Sequence, residues 1–185
     1  NVSNNSIVKL HMFRDSKSVL IKGIMSDSGD ILDRANISVD NIQGVNTSNG
    51  YSCTLEIGKT YTATITDPQG YYEETTKDFT VTKDIDTVEV SMPEIPTGTI
   101  TGDLYLTTSY SQDPILLSYG YLNYFDKKIT SREDGFSIEL PEGEREIDVT
   151  TIFGGETTVD VNVVAGQANT VDIEQITEDS DQQIT

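Results

Sequence analysis

Between residues 51 and 66 apolar and polar side chains change places at almost every step. Tyr51, Cys53 and Leu55 alternate with Ser52, Thr54 and Glu56, and after Gly58 the pattern resumes as Tyr61, Ala63 and Ile65 against Thr62, Thr64 and Thr66. A period of two marks a strand with one face buried, so two strands joined by a turn are predicted here. Asn49-Gly50 stands just before them. That dipeptide predicts a tight hairpin, because a type I′ turn needs left-handed backbone at both central positions.

The same phrase returns further on. Asp134-Gly135 replaces Asn49-Gly50, Phe136, Ile138 and Leu140 take the apolar places, and Gly143 follows Gly135 by eight residues as Gly58 follows Gly50. Ile147 and Val149 carry the return strand. Upstream, "IKGIMSDSGDILDRANISV" (21–39) is matched by residues 100–124, with Gly23 set against Gly102 and an insertion before Pro114. Each copy ends on a short alternating strand, "TVEVSMP" (87–93) and "TVDIEQI" (170–176). Glycines at fixed offsets, with like-for-like swaps on the buried face, predict one structural unit written twice. Module 1 is expected over residues 14–93, module 2 over 94–176, and an acidic tail over 177–185.

Residues 1–13 stand outside both copies. "IVKLHMF" (7–13) resembles the closing strand "TVEVSMP", with Val8, Leu10 and Met12 in the places of Val88, Val90 and Met92. The segment reads either as the last strand of a preceding module or as a strand to be donated to another sheet. The chain opens at Asn1 without Met or a charged-then-apolar leader, so a matured chain or an excerpt of a longer one is expected. The connector "MPEIPTG" (92–98) is short, and its prolines restrict the backbone. End-to-end, rod-like modules are the expectation from it.

Gly23, Asp27 and Gly29, then Ala35–Val39, then "TSNGYSCTLEIG" (47–58) and Gly70-Tyr71 together resemble the carboxypeptidase regulatory-like domain. The resemblance covers residues 19–92 well and 97–176 more loosely. It implies a prealbumin-like, all-β fold: tandem Greek-key β-sandwich modules of about seven strands each. It also implies a secreted or surface location and a non-catalytic role as spacer, companion or adhesive module. A related sandwich, the collagen-adhesin B-type domain, cross-links a lysine to an asparagine beside a glutamate. Here Met25 falls where that lysine would stand and Ile65 where the glutamate would, so no such bond is expected in the first module.

Charge narrows the partners. The 185 residues carry 31 acidic against 12 basic side chains, a formal net of -19. Such a surface repels phosphate backbones and anionic lipid, so neither nucleic acid nor membrane insertion is expected. No apolar run reaches the length of about 18 residues needed to span a bilayer. The acidic excess suits a soluble extracellular surface, cation-rich surroundings or a basic partner. One cysteine excludes an internal disulfide framework.

Chemistry-bearing residues are sparse. His11 is the only histidine and falls on the polar side of its strand, and Cys53 occupies a place that is isoleucine in the other copy. A solvent-facing imidazole and a packed thiol are expected rather than a catalytic pair, and no cofactor is predicted. Asp27, Asp30 and Asp33 lie close together in sequence and read as an acidic turn or a weak calcium site without EF-hand spacing. "YGYLNYF" (119–125) puts Tyr119, Tyr121 and Asn123 on one face and Gly120, Leu122 and Tyr124 on the other. The first row is expected to pack the sheet or to meet a sugar or protein partner. Asn1, Asn4, Asn36 and Asn46 begin glycosylation sequons.

The reading is a non-enzymatic extracellular structural protein, a surface stalk or filament subunit that polymerises by donation of residues 5–13. Its partner would be copies of itself or adjacent modules of the same chain. The alternative is an adhesive or carbohydrate- or protein-binding module of a larger secreted protein.

Overall fold

The computed structural model describes residues 15–108, 111–151 and 155–177. Among them every regular element is a strand. The chain divides into two compact units, one comprising residues 15–68 and 72–93, the other 69–71 and the described residues from 94 onward.

The first unit has seven strands: β1 (Ser16–Met25), β2 (Asn36–Val39), β3 (Gly44–Thr47), β4 (Gly50–Glu56), β5 (Thr60–Thr66), β6 (Thr75–Thr80) and β7 (Thr87–Met92). They form sheets of order β3-β4-β1-β7 and β2-β5-β6. Pairing is antiparallel except between β1 and β7, which run parallel in register from Leu20↔Thr87 to Met25↔Met92. The alternation turns one face of each sheet inward. Val19, Ile21, Cys53, Leu55, Val88, Val90 and Met92 from one sheet meet Val39, Tyr61, Ala63, Ile65 and Phe79 from the other in a single core. Burying each leucine-sized side chain contributes about 1.5–3 kcal/mol, which offsets the entropy of ordering the strands. Met25 packs against this core and Ile65 is fully inside it, so apolar groups fill both places inspected for a cross-link.

The second unit has ten strands among the described residues. They are β8 (Thr97–Gly102), β9 (Leu104–Thr108), β10 (Ser111–Leu116), β11 (Tyr119–Tyr124), β12 (Lys127–Arg132), β13 (Phe136–Pro141), β14 (Gly143–Thr151), β15 (Glu156–Val163), β16 (Ala168–Thr170) and β17 (Ile173–Thr177). One wall of the sandwich is split into β13-β8-β16 and β10-β9-β17, and the other is β12-β11-β14-β15. β16 runs parallel to β8 and β17 parallel to β9. Ile100, Leu104, Leu122, Phe136, Ile138, Leu140, Ile147 and Val149 lie in its separate core.

The glycine turns are displaced by one residue from the expected place, in both units alike. Thr47 pairs with Gly50, so the two central residues are Ser48 and Asn49, not Asn49 and Gly50. Asn49 lacks the left-handed backbone of a type I′ turn, whereas Gly50 has φ 133°. In the second unit Arg132 and Gly135 exchange N–H···O=C bonds of 3.2 and 2.9 Å around Glu133-Asp134. A Cβ on Gly50 would lie 2.2 Å from the Ile21 carbonyl oxygen, and one on Gly135 2.6 Å from that of Gly102. The glycines therefore allow a strand to enter close against the backbone beside it.

The ladders also correct the match of Gly23 with Gly102. Cys53 pairs with Val19 and Ile138 with Ile100, which sets Ile21 opposite Gly102 and Gly23 opposite Leu104. The N–H of Leu32 donates to the Gly23 carbonyl and that of Leu117 to the Leu104 carbonyl, at 2.9 and 2.8 Å. Val90 pairs with Gly23 and Ile173 with Leu104, giving the same answer. Gly23 thus corresponds to Leu104, two residues beyond Gly102.

Candidate functional site

The row expected on β11 is present. Tyr119, Tyr121 and Asn123 are half-buried and outward, while Gly120, Leu122 and Tyr124 point into the core. β12 lies beside β11 with Arg132 opposite Tyr119, Thr130 opposite Tyr121 and Lys128 opposite Asn123. The outer strip therefore holds two phenols, an amide, a hydroxyl and two cations, on a chain of strongly negative charge. The Tyr119 and Tyr121 hydroxyls are 2.5 Å apart, with their rings edge-to-face at 5.1 Å. The Lys128 ammonium sits 3.7 Å from the Tyr121 ring centre. This is a cation–π contact that holds the ring in place. The hydrogen bond to Tyr121 is the first cause of a raised Tyr119 pKa; burial adds to it, and Arg132 and Lys128 oppose it. An open recess of about 570 Å³ adjoins Tyr119, bordered by Ser118, Arg132, Glu133 and Asp134.

The donor-strand residues Val8, Leu10 and Met12, with His11, lie outside the described residues, as do Asn1 and Asn4. What is described is the place such a strand resembles. In the first unit β7 occupies it, with Val88, Val90 and Met92 buried against β1. In the second unit β16 and β17 occupy it. Among the described residues each sandwich is closed by its own last strand.

Asp27 accepts a hydrogen bond from the Tyr72 hydroxyl at 3.1 Å, and the Asp30 amide donates to Ser28 Oγ at 3.2 Å. Among the described residues no three His, Cys, Asp or Glu side chains converge to hold a metal ion. Asn36 opens β2 and Asn46 lies in β3, both exposed. Cys53 is buried, and burial raises its thiol pKa. No helix among the described residues is long and apolar enough to cross a membrane.

No family model and no curated protein matches the chain, so the carboxypeptidase regulatory-like label rests on the turn and core residues alone. Solved structures do resemble it. A minor pilin of Streptococcus agalactiae matches at 11% identity and TM-score 0.42 over 74% of this chain and 68% of that one. The shaft pilin SpaA of Lactobacillus rhamnosus GG matches at 10% identity and TM-score 0.39 over 89% of this chain and 99% of that one. The Bacillus anthracis TIE protein matches at 15% identity and TM-score 0.37 over 88% of this chain, which spans 33% of that protein. Likeness at these values does not carry a function from those proteins to this chain.

Two features had no forecast. Lys128 and Arg132 join the tyrosine strip only because Phe125-Asp126 forms a two-residue turn that pairs Tyr124 with Lys127. The alternation of Lys128, Thr130 and Arg132 was the available signal. The second feature is an ion pair: Arg34 Nε and Nη2 donate to the two oxygens of Asp67 at 2.8 and 3.1 Å. The Asp67 side chain is fully buried. Bidentate pairing of this kind makes burial of a carboxylate tolerable. Thirty-three residues separate the partners, and no local pattern joins them.

Proposed function

We propose that the chain is a non-enzymatic structural protein of the cell exterior, a stalk or filament subunit made of tandem β-sandwiches. The observation that carries this is repetition with closure. One chain holds two sandwiches, each with its own core and its own last strand. Four residues, 93–96, connect them. Their backbone is hydrogen-bonded: Pro93 O accepts from Glu73 N at 2.8 Å, Ile95 N donates to Tyr71 O at 2.7 Å, and Pro96 O accepts from Glu142 N at 2.8 Å. The strongly acidic surface suits a protein that stays dispersed outside the cell. In the filament form, residues 5–13 add to an outer sheet edge of a second copy. Such a contact is head-to-tail and propagates.

Light scattering and negative-stain microscopy of the full chain and of residues 14–185 test this. Polymers from the full chain alone support the filament form. Monomers from both leave a stalk, and irregular aggregates from both would sink the proposal of ordered assembly. A second reading rests on the β11–β12 strip, whose cations and phenols suit contact with a sugar or protein partner.

A further inference from the structure

Force enters and leaves each unit through its first and last strands. In the first unit these are β1 and β7, which are neighbours and run parallel over six residue pairs. The chain enters at the Ser16 end of β1 and leaves at the Met92 end of β7, and parallel strands put those ends at opposite extremes of the ladder. Tension between the chain ends therefore slides one strand along the other. All rungs are strained together, and none can open until many do.

β1 is also held on its other side by β4, from Ser16↔Glu56 to Ile21↔Tyr51, so it cannot peel away. A side-chain staple reinforces the start of the ladder: Lys17 Nζ donates to Asp86 Oδ1 at 2.8 Å and to the Lys83 carbonyl at 2.7 Å. The second unit repeats the geometry through β8–β16 and β9–β17. Its ladder continues across the strand breaks, because Val171 N donates to Thr101 O at 2.8 Å and Ile173 N to Asp103 O at 2.9 Å. By contrast, β5 and β6 are antiparallel, with Thr60 and Thr80 at one end of a ladder that also has six pairs. Pulled apart at that end, they open one rung at a time.

We propose that the parallel pairing of first and last strands makes each unit a tensile clamp, so that this chain bears tension along its length. The proposal rests on the stalk reading for where the tension comes from, but the clamp is a property of the fold. Resistance of this kind is set by the unfolding barrier, not by equilibrium stability.

Single-molecule pulling of the full chain tests it in two directions. With handles at the chain ends, the first unit should give way in one step that releases roughly 250 Å for residues 16–92. With handles on a Lys59→Cys, Lys83→Cys variant, the same unit is unzipped from the Thr60↔Thr80 end. Cys53 is buried and stays unlabelled. The expected result is a several-fold higher force end to end than across the cysteines. Pulling the cysteine variant from its chain ends should reproduce the unmodified force, which ties both values to one fold. Lys17→Ala should lower the end-to-end force, because it removes the staple at the start of the β1–β7 ladder. Equal forces in both directions overturn the clamp. A monomeric chain with strong direction dependence would remove the filament form and keep the clamp. A filament whose subunits yield equally in both directions would do the reverse.

Discussion

The two units solve one packing problem in opposite ways. In the first, the glycine is on the β1 wall: a Cβ on Gly23 would meet Met92 Sδ at 3.0 Å and Ile65 Cγ2 at 3.1 Å. In the second, Leu104 stands at that place and the glycine is across the sandwich, where a Cβ on Gly120 would lie 2.5 Å from Leu104 Cδ1. Bulk has moved from one sheet to the other with the interior still filled, as a close-packed core requires. The exchange leaves a mark. Gly120 pairs with Ser131 on one side and Thr151 on the other, and both hydroxyls are buried without a hydrogen-bond partner among the described residues. In the first unit the pair equivalent to Gly120 and Thr151 is Ile37 and Ile65, both apolar.

The units differ again in the strand before the glycine turn. β3 pairs with β4, so it joins the wall that contains β1. β12 pairs with β11 and joins the opposite wall, with an isolated bridge Arg132↔Gly135 at the turn that leads into β13. This switch places Lys128 and Arg132 beside the tyrosines. The fold tolerates the switch because β3 and β12 are edge strands, whose loss from one sheet leaves the core intact.

The largest expected effect tests what the units share. Gly50→Ala and Gly135→Ala should each destabilise their own unit by about 3 kcal/mol, since a backbone oxygen blocks the Cβ and φ is left-handed at both. Urea denaturation checks this, and a mild effect at only one of the two would break the equivalence of the turns. Next comes the exchanged pair. Leu104→Ala should cost about 3 kcal/mol through the cavity it opens, and Gly120→Ala about 1–3 kcal/mol through overpacking. The double substitution should cost clearly less than the sum, because each change relieves the other. Strict additivity in a double-mutant cycle would mean that these residues do not share one space.

The smallest effect lies at the turn after β11; the first unit also turns after β2, where Asp40 has φ 41° between paired Val39 and Ile42. Phe125 has φ 51° and its side chain is mostly exposed. Phe125→Gly should stabilise by about 0.5–1 kcal/mol by relieving left-handed backbone strain. A rise in the thermal midpoint checks it.

Much of this fold was legible because period-two alternation is local. Tyr61, Ala63 and Ile65 point inward as the pattern said, and so do Ile138, Leu140, Ile147 and Val149. Turn glycines were legible as turns but not in register: composition marks where a chain reverses, while the close approach of a third strand decides which residue is glycine. The Gly23 correspondence failed for a related reason, since the exchange with Gly120 spans two sheets. The tyrosine row was visible, but its cations were not, because they depend on which wall β12 joins. The Arg34–Asp67 pair was out of reach of any local pattern.

Strand removal tests most directly whether each sandwich is closed by its own last strand. A chain ending at residue 166 lacks β16 and β17, and hydrogen exchange should report loss of the protected amides of β8 and β9. Adding a synthetic peptide of residues 167–177 should restore them. A second unit that keeps its protection without either strand would contradict the claim.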